Sequence, residues 1–100
     1  METKVTENGD SAEIELIGRL DTTTYKEAEA LFTEIANRVN SVTLNMAQLS
    51  YISSAGIRSL RSLYMILYNK GGKLTVTNVC EVVMDVFEMT GLKTFFNVVE

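Results

Sequence analysis

Along this chain the spacing of apolar residues switches repeatedly between every second residue and every third or fourth, which restricts its fold more than any other feature. Ala12, Ile14 and Leu16 alternate with Glu13 and Glu15, the period of a half-buried strand. Residues 3–17 read as a hairpin around Asn8-Gly9, a turn pair whose two central residues both need positive φ. Gly18-Arg19-Leu20-Asp21 breaks the alternation. A helix follows, with Thr24 and Glu27 matching the capping box and Tyr25, Ala28, Leu31, Phe32 and Ile35 along one face.

Val42, Leu44 and Met46 form the next strand. A second helix spans about Ala55 to Asn69, with Ile57, Leu60, Leu63, Tyr64 and Leu67 inward, and Lys70-Gly71-Gly72 ends it. Leu74 and Val76 alternate with Thr75 and Thr77 in a further strand. Val82, Val83, Val86 and Phe87 belong to a third helix closed by Gly91, and Phe95 to Val99 form a last short strand. The order β-β-α-β-α-β-α-β predicts one α/β domain over residues 1–100. Its sheet is mixed but mostly parallel, with about five strands and helices packed against it.

Charge and composition remove several functions. A net charge of −4 and a pI near 4.8 argue against a broad nucleic-acid surface, which needs clustered Lys and Arg. No apolar run approaches the roughly 20 residues of a membrane span, so no direct membrane insertion is expected. The polar start Met1-Glu2-Thr3-Lys4 lacks the signature of a secretory signal. Cys80 is the lone cysteine and cannot form an internal disulfide, which makes a reducing cytoplasm the simplest location.

The chain has no histidine, and Cys80 has no second cysteine to complete a nucleophilic pair or a zinc site. Cys80 reads as a small core-facing residue. Gly71-Gly72 precedes a strand, not a helix, so no phosphate loop is present. Neither enzymatic activity, a metal nor a cofactor is expected.

The stretch Leu49-Ser50-Tyr51-Ile52-Ser53-Ser54-Ala55-Gly56-Ile57-Arg58-Ser59-Leu60 is where chemistry is expected. Ser53 and Ser54 fall where a loop becomes a helix. The first N–H groups of a helix lack internal partners, and the macrodipole adds partial positive charge there. Such a position suits a serine as cap, and suits a phosphate on that serine still better.

Three segments together resemble the STAS domain family, named for sulfate transporters and bacterial anti-sigma factor antagonists. Gly18-Arg19-Leu20-Asp21 is similar to its G-x-L-D segment, and Leu49 to Leu60 to its L-S-[YF]-[IM]-D-S-[ST]-G-[LI] loop. Phe87-Glu88-Met89-Thr90-Gly91-Leu92 is similar to its F-x-[ML]-[ST]-G-L helix ending. The resemblance covers nearly the whole chain. It implies a free-standing, cytoplasmic, bacterial anti-sigma factor antagonist, a regulator of transcription. Its partner would be an anti-sigma factor that is also a serine protein kinase of the ATPase-like type, with a serine phosphatase resetting the switch.

In that family the phosphorylated serine follows the aspartate of the loop, a position that falls on Ser54. Ser53 stands where the pattern has aspartate, and Ala55 where it has Ser or Thr. Asp21 and Asn45 are expected to support the loop with Ser53, Asp21 being equally readable as a turn residue. Two other functions stay open. Some free-standing STAS proteins are constitutive subunits of ABC-type lipid transport assemblies; a small nucleotide-binding or enzymatic α/β domain lacks the residues such chemistry needs.

Around Ser54, partner contacts are expected at Ala55 and Gly56. Arg58, Arg61, Met65 and Tyr68 recur at three- and four-residue spacing on a face distinct from the core set. They read either as a docking surface, with Met and Tyr as anchors and Arg as steering charge, or as cover for the third helix with solvated arginines. Beginning one turn beyond Ser54 favours docking. Met84 and Met89 read as core or edge packing, and Glu27, Glu29 and Glu34 as the solvent face of the first helix.

Overall fold

In the computed structural model, which describes residues 1–99, the hairpin pairs β1 (Glu2–Asn8) antiparallel with β2 (Ser11–Leu20). Asn8 lies opposite Ser11, so the turn residues are Gly9 and Asp10. Of these only Gly9 has positive φ, at 62°. A positive φ at the first central position alone is the requirement of a II′ turn, so the turn sits one residue later than Asn8-Gly9.

Next come α1 (Tyr25–Arg38), β3 (Ser41–Ile52), α2 (Ser54–Asn69), β4 (Lys73–Thr77) and α3 (Glu81–Thr90). A 3₁₀ turn (Leu92–Thr94) leads into β5 (Asn97–Val99). The strands lie in chain order β1-β2-β3-β4-β5, with every pair from β2 onward parallel. The expected α/β architecture and element order are therefore present. Glu100, inside the expected domain range, lies outside the described residues.

One face of the sheet is apolar. Ile14, Leu16, Val42, Leu44, Met46 and Val76 are wholly buried, in one cluster with Phe32, Leu60, Leu63, Val83 and Phe87 from the helices. Glu13, Thr43, Asn45 and Thr77 point the other way and remain partly or fully accessible. This one-sided burial is the alternation read from the sequence.

Several boundaries differ from expectation. β3 does not end at Met46 but runs six residues further, because Leu49 and Ile52 continue to reach the core. Gly18-Arg19-Leu20 does not end β2 either. Gly18, at φ 108°, sits beside a register shift between Gly18 and Arg19, so the broken alternation marks a bulge inside a continuing strand.

Thr24 does precede α1 but makes no side-chain cap; its Oγ1 donates to Arg19 O at 2.9 Å and accepts from Asp21 N at 2.9 Å. On α3, Val83 and Phe87 are buried, whereas Val82 is 54% exposed and Met89 85% exposed, so neither of the latter belongs to the core. Phe95 precedes the last strand instead of starting it, and is 61% exposed. Cys80 is half-buried against the core at the start of α3, its Sγ 3.4 Å from Leu49 O. No helix among the described residues is long and apolar enough to cross a membrane.

Candidate functional site

The parallel register brings Leu20 opposite Ile52, so the ends of β2 and β3 coincide and the chain turns there into α2. A single residue, Ser53, makes that turn. Its backbone N–H donates to Leu20 O at 2.9 Å, and its carbonyl accepts from Ile57 N at 2.9 Å. With φ −98° and ψ 177° its backbone is extended, and its Oγ accepts from Gly56 N at 3.3 Å. Ser53 is thus the cap of α2, satisfying one otherwise orphaned donor.

Ser54 is the first helical residue, exposed, with no hydrogen bond to its hydroxyl among the described residues. The two serines divide the work. Ser53 faces back onto the helix, leaving the Ser54 oxygen free toward solvent.

The next residues hold this start rigid. Ala55 is 1% exposed and Gly56 is buried. A Cβ at Gly56 would stand 2.6 Å from Leu20 O and 2.8 Å from Ile52 Cγ1, so only glycine lets the first turn of α2 approach the strand ends this closely. Ser59, fully buried, donates from Oγ to Gly56 O at 2.6 Å. Ala55 and Gly56 therefore offer no side-chain surface to a partner, contrary to their expected docking role; they position the helix.

Asp21 lies one residue past Leu20, half-buried. Its Oδ1 accepts from Thr23 Oγ1 at 2.7 Å and from Thr23 N at 2.9 Å, and its Oδ2 lies 3.4 Å from Arg19 Nε. These donors, the Thr23 hydroxyl foremost, hold the carboxyl below its usual pKa. Its hydrogen bonds fall within its own turn, as the plainer sequence reading expects.

Asn45 does not brace the loop. Because β3 continues to Ile52, Asn45 sits mid-strand, on the order of 20 Å from its end by strand rise. Its Oδ1 accepts from Ala47 N and from Asn78 Nδ2, both at 3.1 Å.

Arg58 and Arg61 are the only charged residues of α2, whose first turn contains no acid. Both are exposed and have no ion-pair partner among the described residues. Met65 is 50% and Tyr68 64% exposed, so α3 does not cover them. Tyr64 stacks on Tyr68 with centroids 5.8 Å apart and meets Phe95 edge-on at 6.3 Å.

Sequence reasoning missed the Arg19 guanidinium, 4.3 Å above the Tyr51 ring beside the site. Only the β2–β3 register makes these two residues neighbours. It also missed Phe95 as part of an aromatic cluster, since Phe95-Phe96 has the composition of a strand. No grouping of His, Cys, Asp and Glu able to hold a metal occurs among the described residues.

Solved structures share this fold. The unphosphorylated form of the anti-sigma factor antagonist SpoIIAA matches with TM-score 0.75 and 19% identity, over 88% of this chain and 83% of that one. SpoIIAA, described as a Bacillus cell fate determinant, in its phosphorylated form matches with TM-score 0.79 and 19% identity, over 99% and 92%. An anti-sigma factor antagonist from Mycobacterium paratuberculosis matches with TM-score 0.85 and 18% identity, over 97% and 83%. At such identities the likeness is one of fold. The family itself is given by the pattern described as STAS domain, which matches residues 2–100; the chain belongs to the STAS domain family.

Proposed function

We propose that this chain is an anti-sigma factor antagonist working as a partner switch, with Ser54 as its phosphorylation site. The observation that carries the reading is the exposed, uncommitted Ser54 hydroxyl at the first position of α2, beside a separate capping serine. The fold shared with SpoIIAA, a protein solved in both phosphorylated and unphosphorylated forms, supports it.

In this reading the partner is an anti-sigma factor that is also a serine kinase of the ATPase-like type, and it docks around Ser54, Arg58, Arg61, Met65 and Tyr68. It transfers the γ-phosphoryl group of ATP to Ser54 Oγ; the hydroxyl proton passes to a base on the kinase, and ADP leaves. A phosphatase later hydrolyses the ester with water, regenerating the serine and inorganic phosphate. This chain is substrate and binding module, not catalyst, and its setting is bacterial and cytoplasmic.

A phosphate adds a charge of about −1.5 to −2 and three acceptor oxygens. The start of α2 tolerates that charge, because free N–H groups and the macrodipole face it. An apolar or acidic docking surface does not, since the dianion must lose water or meet repulsion. A loss of about 3 kcal/mol weakens binding on the order of a hundredfold and releases the partner. The fold need not change.

The test is to incubate the chain with its kinase and ATP, map the phosphate by mass spectrometry, and measure kinase binding by the Ser54→Asp variant. Phosphate on Ser54 and weakened binding support the switch. Modification elsewhere, or unaltered binding, removes it. Co-purification with a transporter ATPase, together with a Ser54→Ala variant that assembles normally, supports instead a constitutive transporter subunit.

A further inference from the structure

A groove of about 310 Å³ lies along α2, lined by Ile57, Arg61, Tyr64 and Met65 on one side and by Leu92 and Phe95 on the other. It is apolar at its floor, where Ile57 and Leu92 are 6% and 5% exposed, and open at its rim, where Met65 and Phe95 are at least half exposed. Tyr64 is held between Tyr68 and Phe95, with ring centroids 5.8 Å and 6.3 Å away, which sets the shape of the wall. Flexible Met beside rigid aromatic rings is a composition suited to a docking surface.

The charge beside the groove narrows what fits. In a chain of net charge −4, the only two charges on α2 are Arg58 and Arg61, both exposed. Both lie beyond the first turn of α2, and neither has a carboxylate partner among the described residues. Neither guanidinium is thus held by a carboxylate of the described molecule, and Arg61 lines the groove beside exposed apolar surface. The walls are α2 and the segment from the end of α3 through the 3₁₀ turn to Phe96, with no strand among them, so the mode that matches is a helix laid into a groove, not an added strand.

We infer that this groove binds an amphipathic helical segment of the partner, with apolar side chains between Met65 and Phe95 and Asp or Glu residues against Arg58 and Arg61. The inference rests on the partner-switch reading for the existence of a partner and adds the chemistry of the segment that the partner presents.

The test titrates the isotopically labelled full chain with two synthetic helical peptides, followed by NMR. Both carry leucine on one face; one flanks it with glutamate and the other with lysine. The expected result is that amide shifts concentrate at Ile57, Arg61, Met65 and Phe95, and that the glutamate peptide binds about tenfold or more tightly than the lysine peptide. Arg61→Glu, a change at an exposed position, should abolish that preference, since Arg58 remains, and Met65→Gln should weaken both.

Equal binding of the two peptides overturns the inference. So do shifts centred on the polar face of the sheet, or sedimentation showing that the groove is covered by a second copy of this chain. A Ser54→Ala chain should bind the glutamate peptide as the wild type does. Failure of phosphorylation at Ser54 therefore sinks the switch alone, and failure of the peptide sinks the groove alone.

Discussion

A side chain at position 56 would drive its Cβ to 2.6 Å from the Leu20 carbonyl oxygen; with glycine there, the start of α2 lies directly on the end of β2. The same carbonyl accepts the Ser53 N–H at 2.9 Å, so one backbone atom sets both the turn into the helix and its closest packing.

Gly56→Ala should therefore be destabilising although alanine favours helix. The obstruction is backbone oxygen together with Ile52 and Leu20 carbons within 3 Å, none of them a flexible chain end. Overpacking of this kind costs about 1–3 kcal/mol. For a domain this size each kcal/mol lowers Tm by roughly 4–8 °C, which calorimetry or thermal circular dichroism measures.

Ser53→Ala removes the only side-chain cap of α2 and should cost about 1 kcal/mol, read from the urea midpoint at unchanged slope. Ser53→Asp should keep the cap and add a favourable charge at the helix start, leaving stability equal or higher by about 0.5 kcal/mol.

The Asp21 carboxyl is held below its ordinary pKa of 3.8 by the Thr23 hydroxyl and amide and by Arg19. A folded-state pKa below the unfolded one means the unfolded chain binds the proton more readily. The contribution to stability is then present above the unfolded value and lost as pH falls through the folded one. Urea midpoints measured from pH 6 down to pH 3 should fall less steeply at the acid end for Asp21→Asn than for the wild type.

Arg58 follows Ser54 by four residues, the spacing of neighbours on a helical surface, and the order acid before base is the favourable one. With phosphoserine incorporated at position 54, the phosphate should show a second pKa below its usual value of about 6 in a ³¹P titration. Arg58→Gln should raise it by up to about half a unit. An identical titration in both proteins would place Arg58 out of contact with the phosphate.

Much of the fold is legible in the sequence because burial has a period. Ala12, Ile14 and Leu16 alternate, and Ile57, Leu60, Leu63 and Leu67 return to one face, whatever their eventual neighbours; all are buried as that pattern requires. Gly91 closes α3 in the left-handed conformation, at φ 74°, a local property of the residue. The serine pair at the start of α2 was legible for the same local reason.

The errors lie where a contact distant in sequence decides. Residues 47–52 carry a turn-like serine, Ser50, and lack strict alternation, and only pairing with β2 makes them strand. That extension removes Asn45 from the site. Val82 and Met89 are apolar yet exposed, because the side of α3 that faces the core is set by Val83 and Phe87 packing with Phe96 and its neighbours.

The order of elements, the glycine that closes α3 and the presence of a hydroxyl at the head of α2 were determined by the sequence itself, through side-chain period and local backbone preference. Tertiary structure alone decided that Ser53 caps while Ser54 faces solvent, that Gly56 rests on Leu20, and that Arg61, Met65 and Phe95 line one groove. These depend on strand register and on the angle at which α2 leaves β3, and both are set by packing between residues far apart in the chain.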